Sequence, residues 1–121
     1  MSGFIRMLIV MLSVLAAIRA VESHTKTDCG VAQTAFGMCV PYVMGDERGP
    51  VSSSCCAAVK SVEELSSMTS MGKRGVCDCL RAMMAEVGRI DGRRASGLAR
   101  KCGVRTSVIP TSLRFRCFEL A

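Results

Sequence analysis

Apolar residues run without a charge from Met7 to Ile18, broken by one hydroxyl, and beyond that run the pattern turns periodic. Ala32, Phe36, Cys39, Val40 and Val43 recur at three- and four-residue steps, which puts them on one helical face. This predicts a first helix from about Gly30 to Met44, bent near Pro41, because an internal proline removes a backbone hydrogen bond. The charged stretch 46–50 reads as a loop. Pro50 suits the first turn of a second helix, with Ser52 to Ser54 offering capping hydroxyls and Cys55, Ala58, Val59, Val62 and Leu65 forming its stripe. After a break at Ser66 to Ser70, Val76, Leu80, Met83, Met84 and Val87 share the face of a third helix, from about Ser70 to Val87, that Gly88 ends. Asp91 caps a fourth helix running to about Lys101, where Ala95, Leu98 and Cys102 align and Gly103 is the stop. The rest has no helical period. The pattern therefore predicts an all-α domain of four short helices and an irregular, wrapping C-terminal tail, with no repeat and no linker.

The N-terminal run changes how composition is read. One arginine followed by twelve residues without charge is the form of a secretory signal peptide; it is too short to span a bilayer, which needs roughly 20 residues. We assign residues 1–23 to it, with cleavage after Ala20 or Ser23, leaving 24–121 as one domain. From His24 onward there are fourteen Lys and Arg against nine Asp and Glu, so the domain is basic. Outside a cell, such a domain is drawn to anionic surfaces such as membrane headgroups. With no Trp and one Tyr it lacks a platform for stacking bases, which argues against nucleic acid.

Eight cysteines follow the leader as C-x9-C-x15-CC-x20-CxC-x22-C-x14-C. In a secreted chain an even set at this density predicts four disulfides. Zinc is disfavoured, because spacers of zero and one residue differ from the usual ligand spacing and there is a single His. No cofactor is implied. Catalysis has little support either: His24 stands alone, no serine sits in a nucleophile motif, and the neighbours Asp46-Glu47 and Glu63-Glu64 would point to different sides of a helix.

The order of those cysteines, together with CVPYV after the second, GP before the adjacent pair, VKSV after it, CDCL and KCGV, resembles the plant non-specific lipid-transfer proteins of type 1, within the eight-cysteine prolamin-like superfamily. The resemblance covers the whole chain. It implies a four-helix, disulfide-braced bundle around a hydrophobic tunnel, and the pairing Cys29 with Cys79, Cys39 with Cys55, Cys56 with Cys102, and Cys77 with Cys117. It also implies a monomer, secreted to the extracellular space or cell wall, that carries fatty acids, lysolipids or phospholipids and touches membranes transiently. Two motifs depart from the family pattern. Thr69-Ser70-Met71-Gly72-Lys73 replaces a T-x-x-D-R or T-x-x-D-K pentapeptide, and Val108 and Ile109 stand where P-Y-x-I-S would fall.

The inward faces supply a tunnel lining: Ala32 and Phe36 from the first helix, Val59 and Val62 from the second, Leu80, Met83, Met84 and Val87 from the third, Leu98 from the fourth, and Val108 and Ile109 from the tail. Lys73, with Arg74 beside it, is the candidate partner for an anionic lipid head. Arg89, Arg93, Arg94, Arg100, Lys101 and Arg105 concentrate charge around the fourth helix and could approach an anionic membrane. The competing expectations are a membrane-active defence peptide and a hydrolase inhibitor on the same framework.

Overall fold

This computed structural model describes the backbone of residues 2–121 and the side chains of 3–13 and 28–121. The elements are α1 (Ser2–Phe36), a 3-10 turn (Gly37–Cys39), α2 (Val40–Val43), α3 (Ser53–Met68), α4 (Gly72–Val87), α5 (Gly92–Lys101) and a second 3-10 turn (Cys117–Glu119). No strand occurs among the described residues.

The first helix starts at Ser2 rather than at Gly30, since Leu, Met and Ala favour helix and no proline precedes Pro41. Its described N-terminal side chains face solvent: Phe4, Ile5 and each of Met7 to Leu12 are exposed, and α1 joins the core only at Ala32 and Phe36. The cleavage positions after Ala20 and Ser23, and His24, fall outside the described side chains. Among the described residues no helix is long and apolar enough to cross a membrane.

The bend lies at Gly37–Cys39, starting four residues ahead of the proline held responsible for it. An uninterrupted helix would need Pro41 to donate to the Gly37 carbonyl, and Pro41 has no N–H. Val40 N–H donates to Gly37 O instead, which tightens the turn, and Pro41 then occupies the first turn of α2. Pro50, expected inside the second helix, precedes its cap. Ser52 is that cap, its hydroxyl accepting from Cys55 N–H at 3.1 Å. Gly88 ends α4 at φ 94°, a left-handed conformation that favours glycine. Asp91 then caps α5, its carboxylate accepting from the N–H groups of Arg93 and Arg94.

Helices α1, α3 and α4 pack on one another in a triangle, α2 lies against α5, and the tail lies on α4. Four bridges hold this arrangement. Cys29–Cys79 ties α1 to α4, Cys39–Cys55 ties the first 3-10 turn to α3, Cys56–Cys102 ties α3 to the end of α5, and Cys77–Cys117 ties α4 to the tail. This is the connectivity that the resemblance implies. Each bridge contributes roughly 2 to 4 kcal/mol in the chain-entropy account, a large share for a domain of this size.

Candidate functional site

Helical periodicity turns one stripe of each long helix toward the centre, and the stripes meet. Ala32, Phe36, Val59, Val62, Leu80, Leu98 and Val108 are completely buried, while Met84 and Ile109 are nearly so. They form one apolar cluster with Cys39, Tyr42, Val43, Ala58 and Val76. Ser66 is the sole buried polar residue among those described, and its hydroxyl donates to the Glu63 carbonyl at 2.7 Å. Two of the expected lining residues stand apart. Met83 is half-buried at the edge of the cluster, one helical step round from Met84. Val87 is half-buried as well, because the last residue of α4 lies where the helix runs out to the surface at Gly88.

In this structure the buried lining side chains form one continuous apolar interior, as expected of a bundle around a hydrophobic tunnel. Among the described residues, two hollows flank this interior. One, of about 560 Å³, is lined by the end of α5 and residues 103–106, bringing Ala99 and Val104 together with Arg100 and Arg105. The other, of about 480 Å³, runs along α1 beside Gly30, Val31, Thr34 and Ala35.

The basic residues divide in a way their spacing did not reveal. Lys73 is exposed and meets no acidic side chain among the described residues. Arg74 is exposed too, but its Nε donates to the Leu120 carbonyl at 2.8 Å, so part of its guanidinium is committed to the tail. Of the six charges around α5, Arg89 pairs with Asp46, and Lys101 Nζ donates to the Tyr42 hydroxyl at 2.9 Å. Arg94 turns inward. Its Nη1 donates to the carbonyls of Glu47 (2.6 Å) and Tyr42 (3.3 Å), and its guanidinium lies 4.9 Å from the centre of the buried Tyr42 ring. Arg93, Arg100 and Arg105 are exposed and make no side-chain hydrogen bond or ion pair among the described residues, Arg89 and Lys101 stay exposed beside their partners, and Arg94 alone is drawn inward.

Tyr42 is the residue that periodicity missed, and the 3-10 turn explains it. Three residues at about 120° each, rather than about 100°, rotate the later chain by about 60°, which brings position 42 inward and moves Val40 toward the edge. The signal was Pro41, whose missing N–H forces the tighter turn. Every cysteine is bridged, so no free thiol is available.

Comparison with known proteins agrees with this arrangement. Residues 24–117 match the family described as "Protease inhibitor/seed storage/LTP family". Non-specific lipid-transfer protein A of Ricinus communis is 37% identical over 90 residues, covering 74% of this chain and 95% of that protein. Non-specific lipid-transfer protein 3 of Oryza sativa subsp. indica is 32% identical over 107 residues, covering 88% and 86%. Among solved structures, non-specific lipid transfer protein 1 from barley, in complex with L-alfa-lysophosphatidylcholine, superposes with a TM-score of 0.64 at 25% identity, covering 77% of this chain and 98% of that one. On its eight bridged cysteines, its helix order and these relatives, the chain belongs to the protease inhibitor/seed storage/LTP family, and within it to the non-specific lipid-transfer proteins.

Proposed function

We propose that this protein is a secreted lipid carrier that admits a fatty acyl chain or lysolipid between its helices and moves it between membranes or to the cell wall. The observation that carries this reading is the barley structure, a lysophosphatidylcholine complex whose chain is covered almost end to end by this fold. The interior supports it. A cluster drawn from α1, α3, α4, α5 and the tail is apolar throughout, so an acyl chain entering it meets no unpaired charge.

Entry of an acyl chain brings it against the side chains of this cluster. Side-chain contacts are then exchanged for contacts with acyl methylenes, each of which contributes about 0.8 kcal/mol on leaving water. Met84 in the cluster and Met83 at its edge suit such an exchange, since unbranched thioethers adapt to variable shapes. The bridges let helices shift while making the unfolded chain less favourable. Lys73, solvated and without an acidic partner among the described residues, serves as the head-group cation, with Arg74 secondary because the tail already occupies it. Binding of this kind makes and breaks no covalent bond, and we assign the protein no enzymatic activity.

We assign residues 1–23 to a signal peptide that is removed. The solvent exposure of Phe4 to Leu12 supports this, since that run adds nothing to the core, as does the start of the family match at residue 24. The test is titration of the oxidised protein with a fluorescent fatty acid, repeated after disulfide reduction. Saturable binding that reduction abolishes is expected; no saturable binding by the oxidised protein would overturn the carrier reading. Blank protease and amylase inhibition assays are expected alongside it.

A further inference from the structure

The C-terminal segment carries a surface that the lipid-enclosing interior does not use. Residues 113–118 read Leu-Arg-Phe-Arg-Cys-Phe, alternating cations with apolar side chains. Three ties lay this segment along α4. Arg81 Nη1 donates to Phe115 O at 2.7 Å, Cys77 bridges Cys117, and Arg74 Nε donates to Leu120 O. As the tail advances, its partner on α4 retreats, so the two run antiparallel. Cys117 is fully buried by this docking, yet Phe118 is left 67% exposed and Leu113 40% exposed.

Charge around these two side chains is of one prevailing sign. Arg114 and Arg116 are exposed beside them. The nearby acids, Asp78 and Glu119, are engaged by Arg81 at 3.1 Å and Arg116 at 3.2 Å, whereas Arg114 meets no acid among the described residues. On a wider scale, residues 92–118 hold seven Arg and Lys and no Asp or Glu, which exceeds the net +6 of the entire chain. The positive end of the molecule is thus its C-terminal quarter.

We propose that this strap is the face by which the protein docks on an anionic lipid bilayer, with Phe118 and Leu113 entering the headgroup layer and Arg114 lying among the lipid phosphates. The inference rests on the carrier reading, and says which surface meets the membrane during exchange. Apolar side chains flanked by cations are what an anionic interface binds, the first by leaving water and the second by the surface potential. The three ties fix the strap's backbone, so presenting these anchors costs little ordering. A second copy of the chain would bring the same positive charge against itself, which disfavours self-association there.

The chain contains no tryptophan, so Phe118→Trp supplies a single fluorescent reporter. With vesicles of phosphatidylcholine and phosphatidylserine, its emission is expected to shift to the blue and to be quenched by brominated lipid, while phosphatidylcholine alone gives neither effect. Met38→Trp, on the exposed first 3-10 turn, is the control and stays unshifted. Phe118→Ser is expected to lower the vesicle partition constant by about tenfold, and Arg114→Gln by about fivefold at low salt. Both variants should take up fluorescent fatty acid in solution as the parent does, because neither residue belongs to the interior. Unshifted emission from the Phe118→Trp protein on anionic vesicles would overturn the proposal, as would an equal shift from Met38→Trp. So would a shift that tracks protein concentration without vesicles, which would assign the patch to a second copy. Loss of fatty-acid uptake with reporter insertion intact would sink the carrier reading and leave the docking face standing.

Discussion

Arg93 and Arg94 are neighbours in α5, identical in chemistry, and the structure assigns them opposite roles that a pair of substitutions separates. Arg93 is exposed; its backbone N–H meets Asp91, which any residue would supply. Arg94 bridges two carbonyls of the segment 42–47 and covers the Tyr42 ring. Its side chain retains 27% exposure, so it works in partly screened surroundings. A hydrogen bond to a charged group contributes about 1.5 to 3 kcal/mol when unscreened, and a partly exposed cation over an aromatic ring about 0.5 to 1 kcal/mol. Discounting for water that can reach the vacated carbonyls, Arg94→Ala should cost about 2 kcal/mol. For a domain near 100 residues this lowers Tm by about 8 to 16 °C. Arg93→Ala should move Tm by no more than about 4 °C, the effect of roughly 0.5 kcal/mol that solvated surface substitutions generally stay within. Arg94→Lys should recover less than half of the loss, because an ammonium cannot span two carbonyls and stack on the ring at once. Thermal unfolding of the oxidised proteins followed by circular dichroism measures all three. Equal Tm losses at 93 and 94 would refute the inward assignment, and full rescue by Lys would refute the role of the planar fork.

Two further outcomes follow from the interior and its mouth. Lys73→Ala should weaken binding of a free fatty acid by about fivefold or less, as expected for one exposed charge pair, while leaving a neutral long-chain alcohol unaffected; equal losses in a competition assay would remove its head-group role. Leu80→Ala, at a fully buried position, should cost about 2 to 5 kcal/mol. Saturating fatty acid should restore more Tm to that variant than it adds to the parent, because acyl methylenes fill the vacated volume. Identical gains would place the acyl chain elsewhere.

What could be read from the chain was whatever a short stretch determines by itself. Asp91 as a cap, Gly88 and Gly103 as stops, and the inward stripes of α3 and α4 each depend on residues within a turn or two, and each stands in the structure where local rules put it. The position of the first bend is legible only with the bond partner in mind: Pro41 marks a kink, and the carbonyl it leaves unserved is that of Gly37, one turn earlier. Tyr42 was lost for the same reason, its inward turn depending on the changed pitch of the three residues before it. The division among the arginines was not legible at all. Arg94 finds its partners 47 and 52 residues away, and those partners are backbone carbonyls, which carry no trace in the identity of Glu47 or Tyr42.

The bracing of the interior follows from the same physics that would let lipid in. An apolar lining exposed to water costs about 25 cal/mol per Å², so the faces that carry Phe36, Leu80, Val59 and Val108, all fully buried, are driven together when no lipid lies between them. Contraction in an ordinary small domain would resist reopening, because parting the core is the first step of unfolding. Here four bridges tie α1, α3, α5 and the tail directly or through α4, so their parting is bounded by covalent links before cooperativity is lost. The tail is the element with the least to lose. It contributes Val108 and Ile109 to the core but is irregular for most of its length, held to α4 by Cys77–Cys117 and two arginine contacts to backbone carbonyls. Val108 and Ile109 belong to no helix, so displacing them while Cys117 stays fixed would disturb none, and the segment that lines the interior is the one whose far end carries the strap. Uptake and docking would then be two consequences of one tethered segment.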